Sequence, residues 1–163
     1  MTDAITAERA AREPILSAGA SYDGADAGAI AAARAFAGDF LAAPGARPAP
    51  VSRDHVDLAK LVVSELVTNA VRHAPGPFRL VLELGRDHLD ISVIDGVAAA
   101  PVPRGHDPRR IGQHGVEIVI AVCESVTVEP HPAGKQVRAR LALAPADAGQ
   151  GTAGPGEGRA EPA

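Results

Sequence analysis

Aromatic side chains are nearly missing from this chain. It has no Trp, one Tyr (Tyr22) and three Phe (Phe36, Phe40 and Phe78). Single-stranded nucleic-acid binders stack bases on exposed aromatics, and this sequence has almost none to offer. Cysteine is as scarce. Cys123 stands alone, which excludes an intramolecular disulfide and a CxxC metal site and fits a reducing interior. Neither charge dominates: 16 Lys and Arg stand against 20 Asp and Glu, a formal net charge of −4. That balance gives no global attraction to phosphate backbones or anionic lipid. No apolar run approaches the roughly 20 residues needed to span a bilayer. The start, Met1-Thr2-Asp3-Ala4 with Glu8, Arg9, Arg12 and Glu13 close behind, does not read as a signal peptide. A cytoplasmic protein with no direct nucleic-acid or membrane partner is the expectation.

What the chain does have is 46% hydrophobic residues, carried mostly by Ala, Val and Leu. A length of 163 residues suggests one domain and suffices for a core without disulfides or a structural metal. Residues 1–13 are polar and Ala-rich and read as a disordered N-terminus. Residues 145–163 are Gly, Ala, Pro and Glu without an apolar period and read as a disordered tail. The folded domain is expected over 14–144.

Within it, Ile30, Ala33, Phe36, Ala37, Phe40 and Leu41 recur at helical spacing, predicting a first helix over 25–43 that stops before Pro44-Gly45. A second begins after Ser52, an N-cap, with Asp54 and Asp57 in its first turn. It ends at His73-Ala74, because Pro75-Gly76-Pro77 cannot continue it. Its solvent face is expected around Lys60, Ser64, Thr68 and Arg72. Phe78 to Leu84 and Leu89 to Val93 alternate and form a hairpin about Gly85-Arg86-Asp87. Residues 97–111 are irregular and long for a plain connection, a length often found in functional loops. Gly115 opens a third helix with Val116, Val119, Ile120 and Cys123 on one face. Strands 125–129 and 135–143 close the chain, with Val137, Ala139, Leu141 and Leu143 alternating against Gln136, Arg138 and Arg140. The order predicts an α+β two-layer sandwich, helices covering one face of a mainly antiparallel mixed sheet.

Three places carry chemistry. Glu65, Asn69 and His73 are spaced by four and lie along one strip of the second helix, at the edge of its apolar sector. Burying such groups without a partner is costly, although polar i,i+4 pairs also occur as ordinary surface features. Asp95-Gly96 ends a buried strand. Such an Asp can accept a hydrogen bond from a ligand N–H, or simply stop the strand in an Asp-Gly turn. Gly112-Gln113-His114-Gly115 leads into a helix whose exposed N–H groups can bind phosphate, or is a flexible loop and no more. Arg104, Arg109 and Arg110 precede it and can neutralise phosphates or merely be solvated.

The combination and its order shift the balance. Glu65-Leu66-Val67-Thr68-Asn69-Ala70-Val71-Arg72-His73-Ala74 closely resembles the N-box of the Bergerat-fold ATPases. That superfamily includes gyrase, the heat-shock-ninety chaperones, histidine kinases and the mismatch-repair ATPases. Asp95-Gly96 falls where its first glycine box falls, and Gly112 to Gly115 where its second falls, after a lid loop. Short length and N-box wording are similar to the anti-sigma-factor serine kinases, especially small regulators of actinobacterial type. The resemblance implies the histidine-kinase-like ATPase fold and MgATP as ligand. It implies that Asn69 holds Mg²⁺, that Glu65 is the catalytic base, and that His73 joins the nucleotide-binding set. It also implies that Asp95 accepts from the adenine amino group beside Gly96, and that Gly112 and Gly115 hinge the lid and approach the phosphates. Two features depart from the pattern. Asp95-Gly96 is followed by Val97-Ala98-Ala99 where the family has further glycines. Gly134-Lys135-Gln136 lacks the Thr that many members place near the adenine. The function so implied is a serine/threonine protein kinase that phosphorylates an anti-sigma-factor antagonist, with a sigma factor as a second, stoichiometric partner. The alternative is a catalytically silent, ATP-dependent protein-binding module. Whether the chain forms a homodimer stays open.

Overall fold

The computed structural model describes residues 14–44, 51–97 and 115–143. Strands β1 (Leu16–Asp23), β2 (Pro77–Leu84), β3 (His88–Asp95), β4 (Ser125–His131) and β5 (Gly134–Ala142) build one sheet in the order β1-β2-β3-β5-β4. Every pairing is antiparallel. Helices α1 (Ala29–Ala42), α2 (Arg53–His73) and α3 (Gly115–Val122) complete the set. Among the described residues three helices lie on a five-stranded antiparallel sheet, so the α+β two-layer architecture holds. The two termini expected to be disordered, the loop 98–111 and the Gly112 end of the glycine segment lie outside the described residues.

Alternation explains the layering, because side chains of a strand point to opposite faces at period two. Phe78, Leu80, Leu82 and Leu84 of β2, Leu89, Ile91 and Val93 of β3, and Val137, Ala139 and Leu141 of β5 are all buried on the helix-facing side. Against them pack Ala33, Ala37 and Phe40 of α1 and Val62, Val63, Leu66 and Val67 of α2. Ala33, Ala37 and Ala59 are fully buried, and such small residues let α1 and α2 approach closely.

The opposite face of the sheet is a grid of paired charges. Arg138 donates to Glu83 at 2.6 Å, and the Arg140 fork donates to both Asp90 oxygens at 2.8 and 2.7 Å. Ser92 accepts from Gln136 at 3.1 Å and from Arg138 at 3.3 Å. Burial pushes the Asp90 carboxyl up, but the Arg140 hydrogen bonds and charge overcome it and hold the group below its ordinary value.

Four features differ from the sequence reading. β1 was not expected. Leu16, Ala18, Ala20 and Tyr22 alternate as a strand should, but the strand is largely Ser, Ala and Gly, which have little β preference. α1 starts at Ala29 rather than at 25, because Asp23 and Asp26 fold the preceding residues into turns, accepting from Ala25 N at 2.9 Å and Gly28 N at 2.8 Å. The expected solvent face of α2 is met only at Arg72, which is exposed. Lys60, Ser64 and Thr68 are half-buried and Leu61 is exposed, because α1 packs along that flank and Gly38 leaves room for the Lys60 chain. Finally, Ile120 is 42% exposed and does not share the buried face of Val116 and Val119.

Candidate functional site

The α2 strip is built by its caps. Ser52 accepts from His55 N at 3.3 Å, Asp54 lies in the first turn, and Arg72 and His73 lie in the last. These charges complement the helix dipole. The resulting 21-residue helix carries Glu65 and Asn69 half-buried, one turn apart, beside buried Val62, Leu66 and Ala70. No buried side-chain polar atom among the described residues lacks a partner. No side-chain hydrogen bond joins Glu65 or Asn69 to another described residue, so their polar ends reach the space outside the core. His73, expected in the same set, is exposed at the last residue of α2.

Glu65 is brought to the glycine that opens α3. Its carboxylate lies over Gly115, so that a Cβ at Gly115 would overlap Oε2 and stand 3.0 Å from Cδ. A side chain there would displace the Glu65 carboxylate from this position. A carboxylate beside the first turn of a helix is also electrostatically favoured. The structure thus brings Glu65 of α2 to Gly115 of α3, with Asn69 one turn further along α2. Gly112, Arg104, Arg109 and Arg110 lie outside the described residues.

Asp95 is in phase with Ile91 and Val93, so it ends β3 on the helix-facing side, buried. Gly96 follows it, exposed. Oδ1 of the carboxylate accepts from Val97 N at 3.0 Å and from Lys135 Nζ at 3.1 Å, and the ammonium lies 2.9 Å from Oδ2 as an ion pair. Lys135 is the direct cross-strand partner of Asp95. The turn that delivers it depends on Gly134, whose φ of +144° suits glycine alone. A Cβ there would also collide with the Asp95 carbonyl and with Gly96, 2.9 Å from its Cα. Lys135 was read from sequence only as the absence of a Thr. Its phase was informative, since it falls on the same side as Val137, Ala139 and Leu141, where a lysine must find a partner. The identity of that partner needed the β3–β5 register.

Among the described residues, no cluster of three His, Cys, Asp or Glu could hold a metal ion. Mg²⁺ needs no such cage, because it typically keeps several waters and is held by one or two protein groups together with substrate phosphates. An open amide at Asn69 fits that manner of binding. No described helix is long and apolar enough to cross a membrane.

Comparison with known proteins agrees with this layout. No curated protein matches the chain. The family model for the histidine kinase-like ATPase domain matches residues 24–141, a span reaching from the turn before α1 into β5 and including Glu65, Asn69, Asp95, Gly115 and Lys135. The chain therefore belongs to the histidine kinase-like ATPase domain family and is an ATP-binding domain.

Proposed function

We propose that this ATP-binding domain is a serine/threonine protein kinase of the anti-sigma type, acting on a small anti-sigma-factor antagonist protein and also holding a sigma factor stoichiometrically. The observation that carries the reading is the Glu65 carboxylate, open, one turn from Asn69 and set over Gly115 at the start of α3. A module that only binds ATP has no use for a base at that end of the site. In the proposed reaction the antagonist's hydroxyl oxygen forms a bond to the γ-phosphorus and its proton passes to Glu65. The bond between the γ-phosphorus and the β–γ bridging oxygen breaks, and its electron pair leaves with ADP. Asn69 would hold Mg²⁺, which neutralises charge on the phosphates. The protein's task is then positioning and electrostatic support. Asp95 would face the base at the other end.

A specific observation favours the silent binding module as second reading: the Asp95 carboxylate is already engaged by Lys135. Glu65→Gln separates the two. It keeps size and most hydrogen bonding while removing the charge. With γ-labelled ATP and candidate antagonists, the kinase reading expects near-normal MgATP binding and transfer slowed about 10²–10⁴-fold. A variant that transfers at the wild-type rate but melts earlier would make Glu65 structural only. Wild-type protein that binds MgATP and labels no antagonist would leave the module reading.

A further inference from the structure

Lys135 changes what the base end of the site presents to a ligand. Its ammonium has three N–H donors. At most two are spent on Oδ1 and Oδ2 of Asp95, so at least one is free to turn toward a ligand. On the carboxylate, Oδ1 already accepts from both Val97 N and Lys135. Oδ2 lies 2.9 Å from the Lys135 ammonium as an ion pair and keeps lone-pair capacity for a ligand donor. The Asp95 side chain is only 1% open, against 16% for Lys135, so the lysine is the more accessible member of the pair. A bare carboxylate offers acceptors only. It selects a 6-aminopurine, whose N6–H can donate, and repels a 6-oxo oxygen in the same place. The Lys135–Asp95 couple offers a donor beside an acceptor. Adenine can satisfy it with N1 accepting and N6–H donating. Guanine or hypoxanthine can satisfy it with O6 accepting and N1–H donating.

We infer that Lys135 is a specificity-determining residue that, with Asp95, opens this site to 6-oxopurine nucleotides such as GTP and ITP alongside ATP. The inference rests on the reading of Asp95 as the base-facing group. It also gives the departure at Gly134-Lys135 a function.

The test is calorimetric titration of the full chain with the Mg²⁺ complexes of ATP, GTP and ITP. Wild-type protein is expected to bind all three with Kd values within about tenfold of one another. A hydrogen bond to a charged group is worth about tenfold to a hundredfold in affinity, so rejection of both GTP and ITP by about a hundredfold or more would overturn the inference. Lys135→Thr removes the ammonium and is expected to raise the ratio of GTP to ATP Kd by about tenfold or more. A ratio unchanged by the substitution would overturn it equally. Both ligands are titrated into one preparation, so any misfolded fraction cancels from the ratio, and the wild-type comparison needs no variant. Failure of the inference alone is recognisable, because MgATP still binds. Wild-type protein that binds none of the three nucleotides overturns the site itself and the inference with it.

Discussion

Gly115 illustrates how one missing atom can decide a site. Because Glu65 lies where a Cβ would sit, Gly115→Ala must push the carboxylate aside or move α3 off α2. A misplacement of about 1 Å in a positioned catalytic group can cost 10²-fold in rate. On the proposed kinase reading, phosphoryl transfer by Gly115→Ala is therefore expected to fall by about that factor while the melting temperature changes little; transfer at the wild-type rate would show that the Glu65–Gly115 contact is irrelevant to the proposed chemistry. Cys123 is a contrasting residue. Burial pushes its thiol up to about 11, so little thiolate forms at neutral pH, and the thiolate is the reactive species. The native protein is expected to react with a disulfide reagent at pH 8 far more slowly than the same protein in denaturant. Equal rates would contradict the burial of the thiol.

Among the elements, β5 does the most. One face of it supplies Val137, Ala139 and Leu141 to the core, the other supplies Arg138 and Arg140 to the charge grid, and its first residues fix Asp95. The Asp90–Arg140 pair has a definite pH signature. The Asp90 carboxyl is held low in the folded protein, so its contribution is fully present above the unfolded value of about 3.9 and is lost as pH falls through the lower folded value. Arg140→Gln is expected to cost about 1–3 kcal/mol at pH 7, trimmed by solvent because Arg140 is a third exposed. In urea melts the difference from wild type should shrink as pH is lowered below about 4. A difference independent of pH would assign the loss to packing alone. Gly134→Ala should be costlier, about 2 kcal/mol or more, since it combines a strained φ with a backbone collision. Much of this element was legible beforehand. The alternation of 135–143 placed every side chain on its correct face, and the same rule found the β2–β3 hairpin. Sequence could not reveal the β3–β5 register, and hence the Lys135 partner, because pairing across 40 residues is set by the whole sheet. β1 escaped for a different reason. Its Ala, Gly and Ser carry too little hydrophobic contrast for alternation to stand out, and its place depends on pairing with β2. Ile120 and the solvent flank of α2 were misplaced because helical periodicity fixes an angle around the axis but not which neighbour arrives on which side.

At the scale of the molecule, two layers divide the labour. The sheet's far face carries ion pairs, while the helix layer packs on the other face through an apolar core; Glu65 and Asn69 stand half-buried on α2, and Asp95 pairs with Lys135 where β3 ends and β5 begins. Family membership over residues 24–141 and the N-box wording agree on the nucleotide, and Asn69 is the group on which the account most depends. The direct measurement is titration of wild type and Asn69→Ala with MgATP, followed by calorimetry and by thermal melting. A ligand at 100 times its Kd stabilises the native state by about 2.7 kcal/mol, a rise of roughly 5–11 °C for a chain of this size. The account predicts one nucleotide per chain and a rise of that order for the wild type, with both sharply reduced in a folded Asn69→Ala. Wild-type protein that gives neither heat nor a thermal shift with MgATP, or an Asn69→Ala variant that binds as tightly as wild type, would contradict it.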